Sequence, residues 1–105
     1  MKIVGVSACP TGIAHTYMAK EALEKEGLKR GYEVKIETQG SMGIENELSQ
    51  IDIDEADAVI LAISIGIEGE ERFQKKVEQN KLITVDPGKA IRQSDVIFDE
   101  LEKNK

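Results

Sequence analysis

Lys2-Ile3-Val4-Gly5-Val6-Ser7-Ala8-Cys9-Pro10-Thr11-Gly12-Ile13-Ala14-His15-Thr16 is the stretch that decides the fold. Lys2–Ser7 is a β-branched run ending in small residues, as a buried strand does. Cys9-Pro10-Thr11-Gly12 breaks it, because Pro and Gly at that spacing mark a turn. From Ile13 the pattern turns helical. Ala14, Met18 and Ala22 fall four apart with Ala19 and Leu23 beside them, while Lys20, Glu21, Glu24 and Lys25 face outward. Glu21 and Lys25 make a favourable i, i+4 pair. Gly31, after Lys29 and Arg30, is the glycine expected at a helix C-terminus.

The alternation continues down the chain. Glu33–Thr38 reads as a second strand with Val34 and Ile36 on one face. Gln39-Gly40-Ser41-Met42-Gly43 is a glycine-punctuated loop, and a short helical turn is expected through Glu45–Leu48. Ala58–Ile63 is the most apolar stretch and the expected central strand. Glu70–Gln79 is weakly helical, with Phe73 and Val77 one turn apart, and Leu82–Val85 is a fourth strand. Asp86 as N-cap and Pro87 in the first turn open one last helix that carries Ile91, Ile97 and Phe98 inward. No repeat, low-complexity tract or linker interrupts the chain, so residues 1–105 are read as a single domain. Strands alternating with helices predict an α/β fold: a four-stranded parallel sheet, doubly wound, in strand order 2-1-3-4. Ligands of such sheets bind beyond the strand C-termini at the switch point. Strand 1 borders that point, and Cys9 sits at its C-terminal end.

Composition narrows the function classes. Leu, Ile, Val and Phe number 28 of 105 residues, enough for a compact core. The 14 basic against 20 acidic side chains give a net charge of −6, and aromatics are 4%. That balance argues against nucleic acid, whose phosphates need a basic face and stacking platforms. The longest apolar run, Ala58 to Ile67, is too short to span a bilayer, so no direct membrane insertion is expected. One Cys and one His supply neither an intramolecular disulfide nor a structural zinc site, and no metal or other cofactor is expected. Val6-Ser7-Ala8-Cys9 after Lys2 has the outline of a lipoprotein cleavage site. The apolar stretch Ile3–Ala8, however, falls short of the roughly 7–15 residues of an export signal. A cytoplasmic location is expected.

The lone thiol and the lone imidazole fall within seven residues of each other. A loop between a strand and a helix N-terminus turns backbone N–H groups inward, and with the positive end of the helix dipole these form an anion cradle. The same field favours the thiolate form of a cysteine, which is the nucleophile. Pro10 has no N–H, so the cradle falls to Thr11, Gly12, Ile13, Ala14, His15 and Thr16. Gly12 permits close backbone approach, and the hydroxyls of Thr11 and Thr16 add donors. A nucleophile beside an anion hole is a phosphoryl-transfer site in outline. A solitary Cys after a strand is often only a small buried apolar residue. Here the strand–Cys–Pro–Thr–Gly–helix context favours function. Gln39 and Gly40, after strand 2, are candidates for the pocket rim as well as plain turn formers. Residues 1–43 carry six basic and five acidic side chains and residues 44–105 eight and fifteen, so an incoming phosphate meets local amides rather than a strong global attraction.

Cys9-Pro10-Thr11-Gly12-Ile13-Ala14-His15-Thr16-Tyr17-Met18-Ala19, then Glu21-Ala22-Leu23, Glu37-Thr38-Gln39-Gly40-Ser41 and Gly43-Ile44-Glu45-Asn46, closely resembles the IIB domain of the fructose family of the bacterial phosphoenolpyruvate-dependent sugar phosphotransferase system. The resemblance covers about the first two thirds of the chain. It implies that Cys9 accepts a phosphoryl group from phosphohistidine on a IIA partner. Cys9 then passes it to a sugar, fructose or a related hexose, held by the membrane component IIC, which would recruit the domain to the inner face of the membrane. It further implies that His15 donates to the phosphate or positions the loop. Arg72-Phe73 matches an Arg-Phe pair of the family. Ser64 stands where the family usually has Asp, and Gln74-Lys75-Lys76 stands where a Gly is expected. Met1 opening directly onto strand 1 suggests a free-standing subunit.

Two other readings compete. A low-molecular-weight phosphatase-like hydrolase would use the same Cys9-to-Thr16 spacing, with Asp86-Pro87 as general acid. His15 then stands in the place of an Arg whose permanently charged, bidentate fork it cannot replace, and Asp86-Pro87 more often means a helix cap and first-turn proline than a general acid. A regulatory interaction module on the same fold would have no use for the thiol.

Overall fold

The computed structural model describes residues 1–9, 13–40 and 43–103. Its elements are β1 (Lys2–Ala8), α1 (Ile13–Lys29), β2 (Glu33–Gly40), β3 (Gly43–Glu45), α2 (Gln50–Glu55), β4 (Ala58–Ile63), a 3-10 turn (Glu70–Phe73), α3 (Gln74–Glu78), β5 (Leu82–Val85), α4 (Pro87–Arg92) and α5 (Ser94–Lys103). The sheet runs β3-β2-β1-β4-β5. β2, β1, β4 and β5 are mutually parallel, and β3 lies antiparallel to β2 on the outer edge. The parallel strands thus stand in the order read from the sequence.

Alternation along each strand builds two cores. Ile3, Ile36, Ile60, Ala62 and Val85 face α1, α4 and α5, where Ala19, Leu23, Ala90, Ile97, Phe98 and Leu101 meet them. Val4, Val6, Val59 and Leu61 face the other way, against Leu48, Ile53, Ala56 and Phe73. Helices therefore cover both faces, the doubly wound arrangement. Arg30 closes the first core from outside. It pairs with Glu26 at 2.7 Å, Asp99 at 3.0 Å and Glu102 at 2.8 Å and lies 5.7 Å over the Phe98 ring, tying α5 to α1.

Five local expectations need correction. The sheet has five strands, not four, because Gly43–Glu45 returns antiparallel with Gly40 opposite Gly43. All three of its residues are exposed, so no alternation marks it. No helical turn occupies Glu45–Leu48: Glu45 ends β3, Asn46 takes a left-handed φ of 54°, and the helix waits for Ser49. Ser49 caps α2 with a reciprocal box, its hydroxyl accepting from the Asp52 N–H and the Asp52 carboxylate from the Ser49 N–H. The buried stripe of α1 is Thr16, Ala19, Leu23 and Gly27, while Ala14 is exposed and Met18 is 47% exposed. The segment Glu70–Gln79 divides into a 3-10 turn and α3. There Phe73 is buried, Val77 is exposed, and Lys76 is buried with its amine donating to the Ala56 carbonyl at 2.6 Å. Burial pushes the Lys76 amine below its ordinary pKa. Finally, the last helix is two, broken at Gln93, where φ −133° and ψ 39° leave the helical region.

Candidate functional site

β1 delivers Cys9 to the C-terminal edge of the sheet. Ala8 sits in register with Gln39 of β2 on one side and Ile63 of β4 on the other. Beneath it, the buried Ser7 hydroxyl donates to the Thr16 carbonyl at 2.8 Å and fixes the start of α1 against the strand. Cys9 is half-buried and lines an open cleft of about 450 Å³ with Gln39, Gly40, Gly43, Ile44, Ile65 and Glu68. A second depression, of about 340 Å³, lies between Asp57, Lys81 and Leu101 at the N-terminal ends of the strands, the wrong end for a ligand site in a parallel sheet.

Of the residues singled out in the sequence, Cys9, Gln39 and Gly40 share this cleft. Thr11 and Gly12 lie outside the described residues. Ile13, Ala14 and His15 are the first three residues of α1, positions whose amides have no carbonyl one turn back within the helix. Ala14 and His15 are exposed, and Thr16 is buried. Tyr17, from the next position, donates its hydroxyl to Glu45 and braces β3 against α1. Asp86 is occupied as the N-cap of α4, accepting from the Gly88 N–H at 2.8 Å, and does not line the cleft.

Sequence reading missed what stands behind the cleft. Glu37 is fully buried and receives both arms of Arg72, Nη1 to Oε1 at 2.9 Å and Nη2 to Oε2 at 3.0 Å. The Leu48 N–H and the Gln39 amide also donate to it, at 2.8 and 2.7 Å. Gln39 in turn grips the Glu68 backbone from both sides, donating to its carbonyl at 3.0 Å and accepting from its N–H at 2.8 Å. Strand alternation gave no warning, because Glu33 and Lys35 on the same face of β2 are exposed. Among the described residues, Leu48 before α2 and Arg72 in the 3-10 turn after β4 cover Glu37.

Burial alone would push the Glu37 carboxyl up, but the Arg72 guanidinium, the Gln39 amide and the Leu48 N–H together hold it below the ordinary carboxylate range. A carboxyl whose pKa is depressed in the folded state stabilises the fold fully above its unfolded value, about 4.3 for Glu. That contribution is lost as the pH falls through the lower folded value. Urea titrations from pH 7 to pH 3 should therefore show the wild type losing stability below about pH 4.3, while Glu37→Gln starts less stable and falls less steeply. Equal slopes for the two proteins would refute this account.

Comparison with known proteins agrees with this architecture. The family model for the PTS system lactose/cellobiose specific IIB subunit matches residues 4–98. PTS system fructose-like EIIB component 2 of Escherichia coli K12 is 50% identical over 101 residues, covering 96% of this chain and 92% of its own. The fructose-like PTS system EIIBC component of the same strain is 43% identical over 104 residues, 99% of this chain but 21% of that longer protein. Among solved structures, an enzyme IIB subunit of the PTS system from Escherichia coli K12 superposes with a TM-score of 0.87 at 40% identity, covering 97% of this chain and 91% of that one. A domain of the fructose-specific IIABC component of Borrelia burgdorferi gives 0.85 at 45% identity, covering 95% and 91%. With the family model spanning most of the chain and relatives this similar over nearly all of it, the chain belongs to the fructose-like IIB family, the phosphoryl-transfer components of the sugar phosphotransferase system.

Proposed function

We propose that Cys9 is the phosphoryl carrier. The single supporting observation is its position: the only cysteine of the sequence directly follows β1 and lines a cleft at the C-terminal edge of the sheet, four residues before the first residue of the 17-residue α1. In the first transfer the Cys9 sulfur attacks phosphorus on a phosphohistidine of the IIA partner. An S–P bond forms as the P–N bond breaks, and the thiol proton ends on the departing imidazole. In the second, a sugar hydroxyl held by the membrane component IIC attacks the phosphocysteine. An O–P bond forms, the S–P bond breaks, and the hydroxyl proton restores the thiol.

Positioning and charge stabilisation are the main demands of such a transfer. The cradle falls to Thr11, Gly12 and the first turn of α1, Ile13 through Thr16, with His15 as a further donor or loop-positioning group and Gln39 and Gly40 at the rim. The sugar is fructose or a related hexose. The domain, residues 1–105, works in the cytoplasm and meets IIC at the inner face of the membrane. No guanidinium lies in the sequence between Cys9 and Thr16 to speed hydrolysis, so the phosphocysteine persists long enough to be handed on.

Intact-mass measurement after incubation with a phosphohistidine-bearing fructose-type IIA protein, charged from phosphoenolpyruvate, tests this. One phosphate adduct is expected on the wild type and none on Cys9→Ser. An adduct that survives in Cys9→Ser, or turnover of an aryl phosphate by the wild type, would overturn it.

A further inference from the structure

Arg72 does not line the Cys9 cleft, yet it holds the segments that do. Its Nε donates to the Gly69 carbonyl at 2.7 Å, Nη1 to Glu37 and to the Leu48 carbonyl at 2.7 Å, and Nη2 to Glu37 and to the Glu68 carbonyl at 3.2 Å. All five guanidinium N–H donors are thereby used. The acceptors come from three places: β2, two residues before Gln39; the loop that follows β3; and the loop after β4 that presents Ile65 and Glu68 to the cleft. The fold makes room for this fork at Gly69, whose φ of 72° favours glycine. A Cβ there would sit 2.5 Å from Arg72 Nε.

A buried ion pair is a costly way to fill a core, since well-packed apolar residues often serve stability as well or better. An apolar pair could not bond three carbonyls from two separate loops. We infer that Arg72 is a positioning residue for the chemistry at Cys9: through Glu37, Gln39 and the carbonyls of Leu48, Glu68 and Gly69 it sets the walls of the cleft in which the phosphoryl group is transferred. This rests on the carrier reading of Cys9. Misplacement of a reacting group by about 1 Å can cost on the order of 100-fold in rate, so the walls need not move far to matter.

Two variants separate positioning from folding. Arg72→Lys keeps the charge without the fork. Glu37→Gln with Arg72→Met removes both charges together, so neither is left buried alone. Single-turnover phosphoryl uptake from the charged IIA protein is measured for each against donor concentration, with amide exchange at Glu68 as a second readout. The maximal rate constant should fall about 10–100-fold in both, the half-saturating donor concentration should stay within about threefold, and the Glu68 amide should exchange faster. A purely structural role would lower only the fraction of competent protein, leaving its rate constant at the wild-type value, and that result would overturn the inference. So would unchanged exchange at Glu68. If the wild type itself takes up no phosphoryl group, the carrier reading fails and this inference with it; if the wild type does and both variants match it, this inference alone fails.

Discussion

Arg72→Met alone should bring the protein close to unfolding at neutral pH, with a loss of about 3–5 kcal/mol in urea denaturation. The reason is what it leaves behind. Glu37 has no exposed surface, and its carboxylate would keep only the Gln39 amide and the Leu48 N–H as partners. A buried charge without its counterion has three routes: take up a proton, draw in water, or pull the structure open. Each consumes much of the roughly 5–15 kcal/mol that holds a domain of this size together. The carbonyls of Leu48, Glu68 and Gly69 would lose the same donor group at once. Adding Glu37→Gln to Arg72→Met should recover most of the loss, because the double variant buries no unpaired charge. A double-mutant cycle in urea at pH 7 measures this directly. The explanation fails if the single variant loses less than about 1 kcal/mol, the value of an exposed pair.

The second large effect lies on the opposite face of the sheet. Phe98 is fully buried at the centre of the first core, with the Tyr32 ring stacked 6.3 Å away at 15° and the Arg30 guanidinium above it. Phe98→Ala should cost about 3–5 kcal/mol, which for a domain of this length lowers Tm by roughly 15–30 °C. More than a cavity is involved. Arg30 and Tyr32 both bond Glu102, and together with the pairs to Glu26 and Asp99 they lock α5 onto α1 through a cluster resting on that ring. Without it α5 should loosen first, which amide exchange along Ser94–Lys103 would show. A Tm drop below about 5 °C, or exchange slowing along that helix, would contradict this role.

β1 and β4 were legible because burial on both faces leaves continuous apolar runs, as in Ala58–Ile63, and β2 because Val34 and Ile36 alternate with charges. The order of those strands followed from right-handed crossovers. β3 was not legible, since three exposed residues carry no period. α2 left a signal, the Ser49-to-Asp52 capping box, but its single buried residue, Ile53, gave no stripe to reinforce it. Topology alone placed Cys9 at the end of β1, and Cys9, Gln39 and Gly40 line one cleft there. The clamp behind them was not legible, because its two charges stand 35 residues apart and pattern arguments reach only one helical turn or one strand pair. Glu37 and Arg72 were each visible as residues; only folding reveals them as partners.

β3 has one more consequence, for self-association. An exposed sheet edge offers unpaired N–H and C=O groups on which a second chain can add a strand. Here β3 covers only residues 38–40 of β2, carries the charged Glu45, and is pinned by Tyr17 from α1, while residues 33–37 of β2 have no strand beside them on that side among the described residues. β3 itself offers only three residues to a second copy, and the exposed charges of Glu33 and Lys35 stand along the rest of that edge. The residues that wall the Cys9 cleft on this side thus also cover the end of the sheet's margin, denying a second chain the backbone of residues 38–40.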